Sequence, residues 1–403
     1  MALICRHSIY DIAALPSSAT IFSSWLLLTN GRGPAELSPR PARPPPHPAQ
    51  ARIAVCLVGG ARKFELTGDS IVRNVLVPYP GADLFLHSPL DGNAYKFGLL
   101  KDAPRVAAVK IFEPRHIVET DVHRRLLTPR GSPMGLQVTI DKHSHFTVFL
   151  PTKLCYDKMG LLQYFSLVEG CLSLIRSHEL QNNFSYDWIV RTRVDGFWEP
   201  SSFKPNTYVI PEGSRDWREE LSIVPLSRLT MLDDLAKEGY NGLNSEMAFM
   251  YQMKMGQVLV HEQQLRFCIV TERKKKFPPG RYDTPVASIG SRGPLSGAYC
   301  RPCLRAYTGP QADRIWAGLD RAWIEWRNKG LGLCNATEEW ENGWEPAFDE
   351  AAGPSVAMAR RRVAAMPVTD CNRDLAMLKA KTAQWEAPNP ATICEIGLGR
   401  MAQ

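Results

Sequence analysis

The stretch Asp187-Trp-Ile-Val-Arg-Thr-Arg-Val-Asp-Gly-Phe-Trp198 decides how the chain is read. Trp188, Ile189 and Val190 form a short, bulky, β-prone run of the kind buried on both faces of a parallel sheet. The composition then changes abruptly to Arg191-Thr-Arg193-Val-Asp195-Gly196, three charges and a glycine where the strand is expected to end. In open α/β sheets ligands collect at the carboxyl ends of strands, which places Asp195 to hold a metal or a sugar. Gly196 is expected to let the chain turn sharply after it. An isolated Asp-Gly would be read as a turn cap, with Asp195 paired to Arg193. The two preceding arginines and the bracketing aromatic residues tip the reading toward function.

Working outward, Ile53-Ala-Val-Cys-Leu-Val58 is a second buried strand and runs into Gly59-Gly60-Ala61-Arg62. A strand entering two glycines and a basic residue is how α/β folds open a phosphate-binding turn, because backbone N–H groups there approach an anion closely. The spacing matches neither Gly-x-Gly-x-x-Gly nor a Walker loop, so a tight strand-to-helix turn without ligand explains it about as well. Ser70 to Val77 is expected as a helix, Ala82 to His87 and Val106 to Phe112 as strands. Leu161 to Ser177 is an amphipathic helix with Leu162, Phe165, Val168, Leu172 and Ile175 on one face, and it feeds the central strand. This alternation predicts an α/β fold with a mostly parallel sheet flanked by helices. Further on, a hairpin-like Tyr208–Pro211, helices over Leu226–Glu238 and Met247–Met255, and a strand over Phe267–Thr271 are expected. Glu246 opens the second of these helices. Favouring the helix dipole is its simpler explanation, and action as a general base or acceptor contact is the alternative.

At 403 residues the chain suffices for one large domain or two ordinary ones, and 44% hydrophobic with 22% charged residues is a soluble globular composition. The net charge of +7 is partly local, since Arg32 to Arg52 holds arginines but no lysine, with Glu36 its single acid. Lys274–Lys276 and Arg360–Arg362 are short basic runs with nothing resembling a nucleic-acid module around them. Anionic small molecules are therefore the expected partners, and not DNA or RNA. Ten cysteines are too few for a disulfide scaffold. Cys300-Arg-Pro-Cys303 lacks the second pair that a zinc site would want, and Pro302 argues for a loop, so a structural disulfide or plain thiols are expected there, with Cys334 and Cys371 standing alone. Trp340, Trp344 and Trp385, and the pair Trp323 and Trp326, are expected in packing roles. Asn183-Phe-Ser185 and Asn335-Ala-Thr337 are glycosylation sequons, informative only for a secretory chain.

The two ends differ from the middle. Residues 1 to 51 read as a disordered leader and linker, with seven prolines between Gly31 and Gln50. Ile21 to Leu28 is apolar but far short of the ~20 residues that span a bilayer, so membrane association is expected only through this end. At the other end, Ile393-Cys-Glu-Ile-Gly-Leu-Gly399 reads as a strand followed by glycines, similar to the first motif of S-adenosylmethionine methyltransferases.

Several stretches taken together resemble the DUF7796-domain family of plants and green algae: Arg52–Arg62, Ala82–Leu90, Leu161–Phe165, Tyr186–Gly196, Leu243-Asn-Ser-Glu246, Gly293–Gly297 and Cys300–Cys303. The strand-Arg-x-Arg-x-Asp arrangement looks like that of nucleotide-sugar glycosyltransferases of the GT-A type. The resemblance implies a GT-A-like, Rossmann-like domain over 52–305, an insertion at Val138–Met159 and a helical C-terminal extension over 306–403. It implies that Gly59, Gly60 and Arg62 meet the diphosphate of a nucleotide-sugar, with Arg191 or Arg193 near the phosphates. Asp195 would be the carboxylate for Mn²⁺ or Mg²⁺, and Glu246 the base for an acceptor hydroxyl. A single Asp195 stands where many such enzymes have two carboxylates. The implied function is sugar transfer from a nucleotide-sugar in the Golgi or secretory lumen. The alternatives are an accessory region of a methyltransferase fusion and a non-catalytic carbohydrate-binding protein.

Overall fold

The computed structural model describes residues 52–115, 117–127, 159–200, 229–256, 267–272, 274, 286–289, 298–317 and 332–399. The leader and linker, the segment 138–158, the hairpin at 208–211, the start of the helix expected from Leu226, and Trp323 and Trp326 lie outside the described residues.

Strand β1 (Ile53–Val58) is buried at all six positions, as an uninterrupted apolar run in a parallel sheet should be. It lies between β2 (Asp83–Pro89) and β4 (Trp188–Arg193), parallel to both. Strand β3 (Val106–Phe112) flanks β2, and β9 (Thr382–Glu386) closes the far edge, giving a five-stranded parallel sheet ordered β4-β1-β2-β3-β9. A second sheet of four strands, ordered β5-β6-β8-β7, is built from β5 (Gly196–Trp198), β6 (Phe267–Val270), β7 (Val286–Ser288) and β8 (Ala298–Arg301). There β5 and β6 are antiparallel and the other neighbours parallel. The mostly parallel α/β architecture expected from the alternation of apolar runs is the one observed.

Helix α3 (Met159–Asn182) covers one face of the large sheet, its Val168, Cys171, Leu172 and Ile175 packed on Ala54, Cys56, Phe85 and Ile189. The opposite face is covered by α1 (Phe64–Ile71), a π-helical turn (Val72–Leu76), a 3₁₀ segment (Ala94–Asp102) and the C-terminal helices α8 (Pro354–Ala364), α9 (Val368–Lys381) and α10 (Pro390–Leu398). The short helices α2 (Asp121–Leu126) and α4 (Leu232–Lys237), with α5 (Ser245–Met255), gather around the first turns of α3. Helices α6 (Pro310–Ala317) and α7 (Trp344–Ala352) pack with the second sheet.

Four sequence expectations are corrected. Strand β4 does not stop at Val190 but continues through Arg193, because β1 runs alongside with Val58 opposite Arg193. Segment 390–398 is the helix α10, not a strand: Asn389 accepts a hydrogen bond from the Ala391 N–H and Pro390 occupies the first turn, both helix-start signals. The strand that a methyltransferase motif requires is not there. Cys300 and Arg301 belong to strand β8, not to a loop. The cysteines are more connected than expected. Disulfides join Cys56 to Cys171, Cys268 to Cys300, Cys303 to Cys334 and Cys371 to Cys394, so neither Cys334 nor Cys371 stands alone and Cys300 and Cys303 bond elsewhere.

Candidate functional site

The sheet order places a switch point between β1 and β4. From β1 the chain proceeds through β2 and β3 on one side, then returns to lay β4 on the other side. Loops leaving the two strands part there in opposite directions, and the crevice outside their carboxyl ends is where open α/β sheets bind ligands.

Gly59 leaves β1 with a φ of 124°, a region that side chains rarely adopt, and a Cβ on it would sit 2.9 Å from Cγ2 of Val194. The Val194 N–H donates to the Val58 carbonyl at 3.2 Å, and Thr67 Oγ1 of α1 donates to the Val194 carbonyl. The turn after β1 is thus pressed against the turn after β4. On its other flank, a Cβ on Gly60 would lie 2.7 Å from Oδ2 of Asp91. The structure therefore gathers Gly59, Gly60, Arg193 and Asp195, with Arg62 next in chain and charge-coupled to Asp91, at the ends of β1, β2 and β4.

Arg193 and Asp195 form a two-pronged ion pair, Nε to Oδ1 at 2.7 Å and Nη2 to Oδ2 at 2.6 Å, with the side chains 32% and 26% exposed. Burial opposes both charges. The proximity and hydrogen bonds of the pair outweigh it, holding Asp195 below and Arg193 above their ordinary pKa ranges. The simple sequence reading, Asp195 paired to Arg193, is thus realised in the geometry. The arrangement does not fit a divalent cation as it stands: both oxygens of Asp195 are engaged by a guanidinium. Among the described residues no three His, Cys, Asp or Glu side chains converge as metal ligands.

Arg191 lies one strand period deeper, on the α3 face of β4, and is 2% exposed. It donates from Nη2 to the Tyr164 hydroxyl and holds its guanidinium 5.3 Å from the ring centre of that tyrosine, while Nε has no hydrogen-bond partner. No carboxylate pairs with it among the described residues. Tyr164 and Tyr299 also face Arg193.

Glu246 occupies the first turn of α5 behind the Asn244 cap, whose side chain accepts the Met247 N–H at 2.8 Å. Its Oε2 is buried without a hydrogen-bond partner. Its helix belongs to the layer around the start of α3, and among the described residues no hydrogen bond or ion pair joins Glu246 to the switch-point group.

The aromatic bracket that tipped the sequence reading proves to be packing. Trp198 is fully buried against Phe267, with ring centres 4.7 Å apart, and Phe197 is 5% exposed. Gly196 answers to the same packing, since a Cβ there would lie 2.3 Å from Cε2 of Phe267. It gives the close approach, not a left-handed turn.

Asp91 was missed, although its signal is the one that singled out Asp195: Asp91-Gly92 directly follows the apolar run of β2. Burial raises its pKa, opposed by the Asn93 and Ala94 N–H groups and by the charges of Arg62 and Lys96. Lys63 was missed as well. It pairs with Glu272 past the end of β6 and stands 4.4 Å over the ring of Trp340. Nothing in the sequence joins Lys63 to Trp340, which are brought together only by the second sheet. The Val270 N–H donates to the Asp195 carbonyl at 2.9 Å and the Thr271 N–H to the Cys300 carbonyl at 2.9 Å. The carboxyl ends of β6 and β8 therefore continue the rim begun by β1 and β4.

Fold and site together define an α/β protein with a cluster of glycine and charged residues at its switch point. The chain belongs to the DUF7796 family, a domain of unknown function, which it matches over residues 48–144 and 140–400. The two stretches meet inside the segment read as an insertion. No curated protein and no solved structure matches the chain.

Proposed function

We propose that the switch-point crevice binds the diphosphate of a nucleotide-sugar and that the protein is a glycosyltransferase of GT-A type, or descends from one. The observation that supports this reading is the apposition of the Gly59–Gly60 turn with Arg193–Val194–Asp195 at the carboxyl ends of adjacent parallel strands. Backbone N–H groups at the glycine turn would approach the phosphates, and Arg62 and Arg193 would offset the charge that a departing nucleoside diphosphate gathers. Asp195 then acts as the positioning residue for Arg193. With its oxygens so engaged, the charge is compensated by arginine and not by Mn²⁺ or Mg²⁺. Glu246, with its unpartnered oxygen, remains the candidate base for an acceptor hydroxyl.

The four disulfides among the described residues support an oxidising compartment such as the secretory lumen. Among the described residues no helix is long and apolar enough to cross a membrane. A non-catalytic carbohydrate-binding protein on the same fold is the second reading, favoured by the closed Arg193–Asp195 pair.

A thermal-shift series with nucleoside diphosphates, each with Mn²⁺ and with a chelator, tests the proposal. A ligand at about 100 times its Kd stabilises by roughly 2.7 kcal/mol, which the melting temperature reports. The expected result is a shift with one nucleotide that survives chelation and is lost in Arg193→Ala. Absence of a shift with every nucleotide, on a folded sample, would leave the non-catalytic reading.

A further inference from the structure

We infer that Asn335 is a glycan attachment site. The residue is exposed and follows the two bridges that tie Leu333 to Ala287 and Cys334 to Ala306 at the margin of the second sheet. Its side chain makes a compact turn with the rest of its sequon: Thr337 donates to Oδ1 of Asn335 from its N–H at 3.1 Å and from Oγ1 at 2.7 Å. Both contacts use the amide oxygen. The Nδ2 that would carry the sugar takes no part in them, and the carbonyl remains an acceptor after the nitrogen is substituted. The turn therefore survives the modification. By contrast, Asn183, also exposed, stands at the left-handed end of α3 with a φ of 52° and has no such contact with Ser185.

A second observation is independent of the first. Cys334, immediately before Asn335, is bonded to Cys303, and every cysteine among the described residues is paired. Disulfides persist where thiols are not kept reduced, and in eukaryotic cells that compartment also attaches sugars to Asn-x-Ser/Thr. The donor class is an oligosaccharide carried on a polyprenyl diphosphate. A bond forms between Nδ2 and the anomeric carbon, the bond from that carbon to the diphosphate oxygen breaks, Nδ2 gives up one proton and the lipid diphosphate departs. The acceptor role does not depend on what the switch-point residues bind.

The test is expression of the full chain in eukaryotic cells from its own start, followed by glycan release with an amidase in ¹⁸O-water and peptide mass spectrometry. The expected result is ¹⁸O-labelled aspartate at position 335, lost in Thr337→Ala and retained in Thr337→Ser. Because the modification is read on the denatured chain, a variant that folds poorly still reports. Recovery of position 335 as unmodified asparagine in the unsubstituted chain would overturn the inference. So would alkylation of Cys303 and Cys334 without prior reduction.

Discussion

The two ends of the large sheet each carry an arginine–aspartate pair, and they treat it differently. At the amino end, Asp83 of β2 accepts from Arg105 at 2.8 Å and from the Tyr186 hydroxyl at 2.8 Å, while Asp187 accepts the Arg52 N–H. Around them Phe85, His178, Phe184 and Tyr186 meet edge to face or stacked, and Arg52 covers Phe184. There the Asp83 carboxylate is buried and the rings are matched to partners, while the Arg105 side chain reaches solvent. At the carboxyl end the pair Arg193–Asp195 is a quarter to a third exposed, Arg191 beneath it has no carboxylate, and two glycines keep side chains away. The same residue types bury a carboxylate at one end and, under the proposed function, serve binding at the other. At the carboxyl end Arg193 and Asp195 satisfy each other, and the buried group left without a partner is Nε of Arg191.

Acid should separate the ends most strongly. His87, paired in register with Val58 near the carboxyl end, is 4% exposed and stacks on Phe112. Burial lowers its pKa to about 4, opposed by the hydrogen bond to the Leu167 carbonyl. Between about 4 and 6.5 the unfolded chain takes up a proton that the folded chain refuses, so stability rises with pH in this window and is lost as pH falls through it. At about 1.4 kcal/mol per unit, the full effect is on the order of 3 kcal/mol. Urea midpoints at pH 7 and 4.5 should show a shallower pH dependence for His87→Gln than for the native chain, and equal slopes would refute the assignment.

A wedge against the same histidine comes next. A Cβ at Gly170 would lie 2.1 Å from Cε1 of His87, so Gly170→Ala must push α3 away from β2, at about 1–3 kcal/mol. A midpoint within experimental error of the native value would show that α3 has slack. At the amino end, Tyr186→Phe removes one of two partners of a buried carboxylate and should cost about 1–2 kcal/mol while leaving nucleotide-induced thermal shifts intact. If those shifts vanish too, the two ends are coupled. The smallest stability effect belongs to the carboxyl end: Asp195→Asn breaks a partly exposed pair worth up to about 1 kcal/mol. Its loss should instead be visible as weakened nucleotide binding. A large stability loss with unchanged binding would assign Asp195 to structure.

Much of this frame was legible in the chain itself. The bounds of β1 and β3 are those the sequence predicts, since β1 is a continuous apolar run with sharp ends and β3 breaks its apolar run only at Lys110. Gly59, Gly60, Arg62, Arg193 and Asp195, which the structure gathers at one end of the sheet, stand out in the sequence because glycine and charge after such a run break the pattern. What failed depended on partners distant in sequence. Arg191 looked like the end of a strand because Tyr164, which receives it, lies on α3. Helix α1 begins earlier than the expected Ser70, its Gly68 tolerated where Phe64 and Leu99 crowd close. Strand β9 has no buried position and lies between helices, so it lacks the apolar run that marks β1, and disulfide partners cannot be deduced from spacing.

The position of β9 also orders events during synthesis. It pairs with β3, whose Lys110 meets its Glu386 at 2.8 Å, yet the two strands are separated by most of the chain. While a ribosome is still making the intervening segments, β3 is an open edge with unpaired backbone groups, the kind of surface on which nascent chains stick to one another. The sheet acquires this neighbour only after every segment between β3 and β9 has emerged. A nascent chain of this protein should accordingly lean on chaperones until β9 appears.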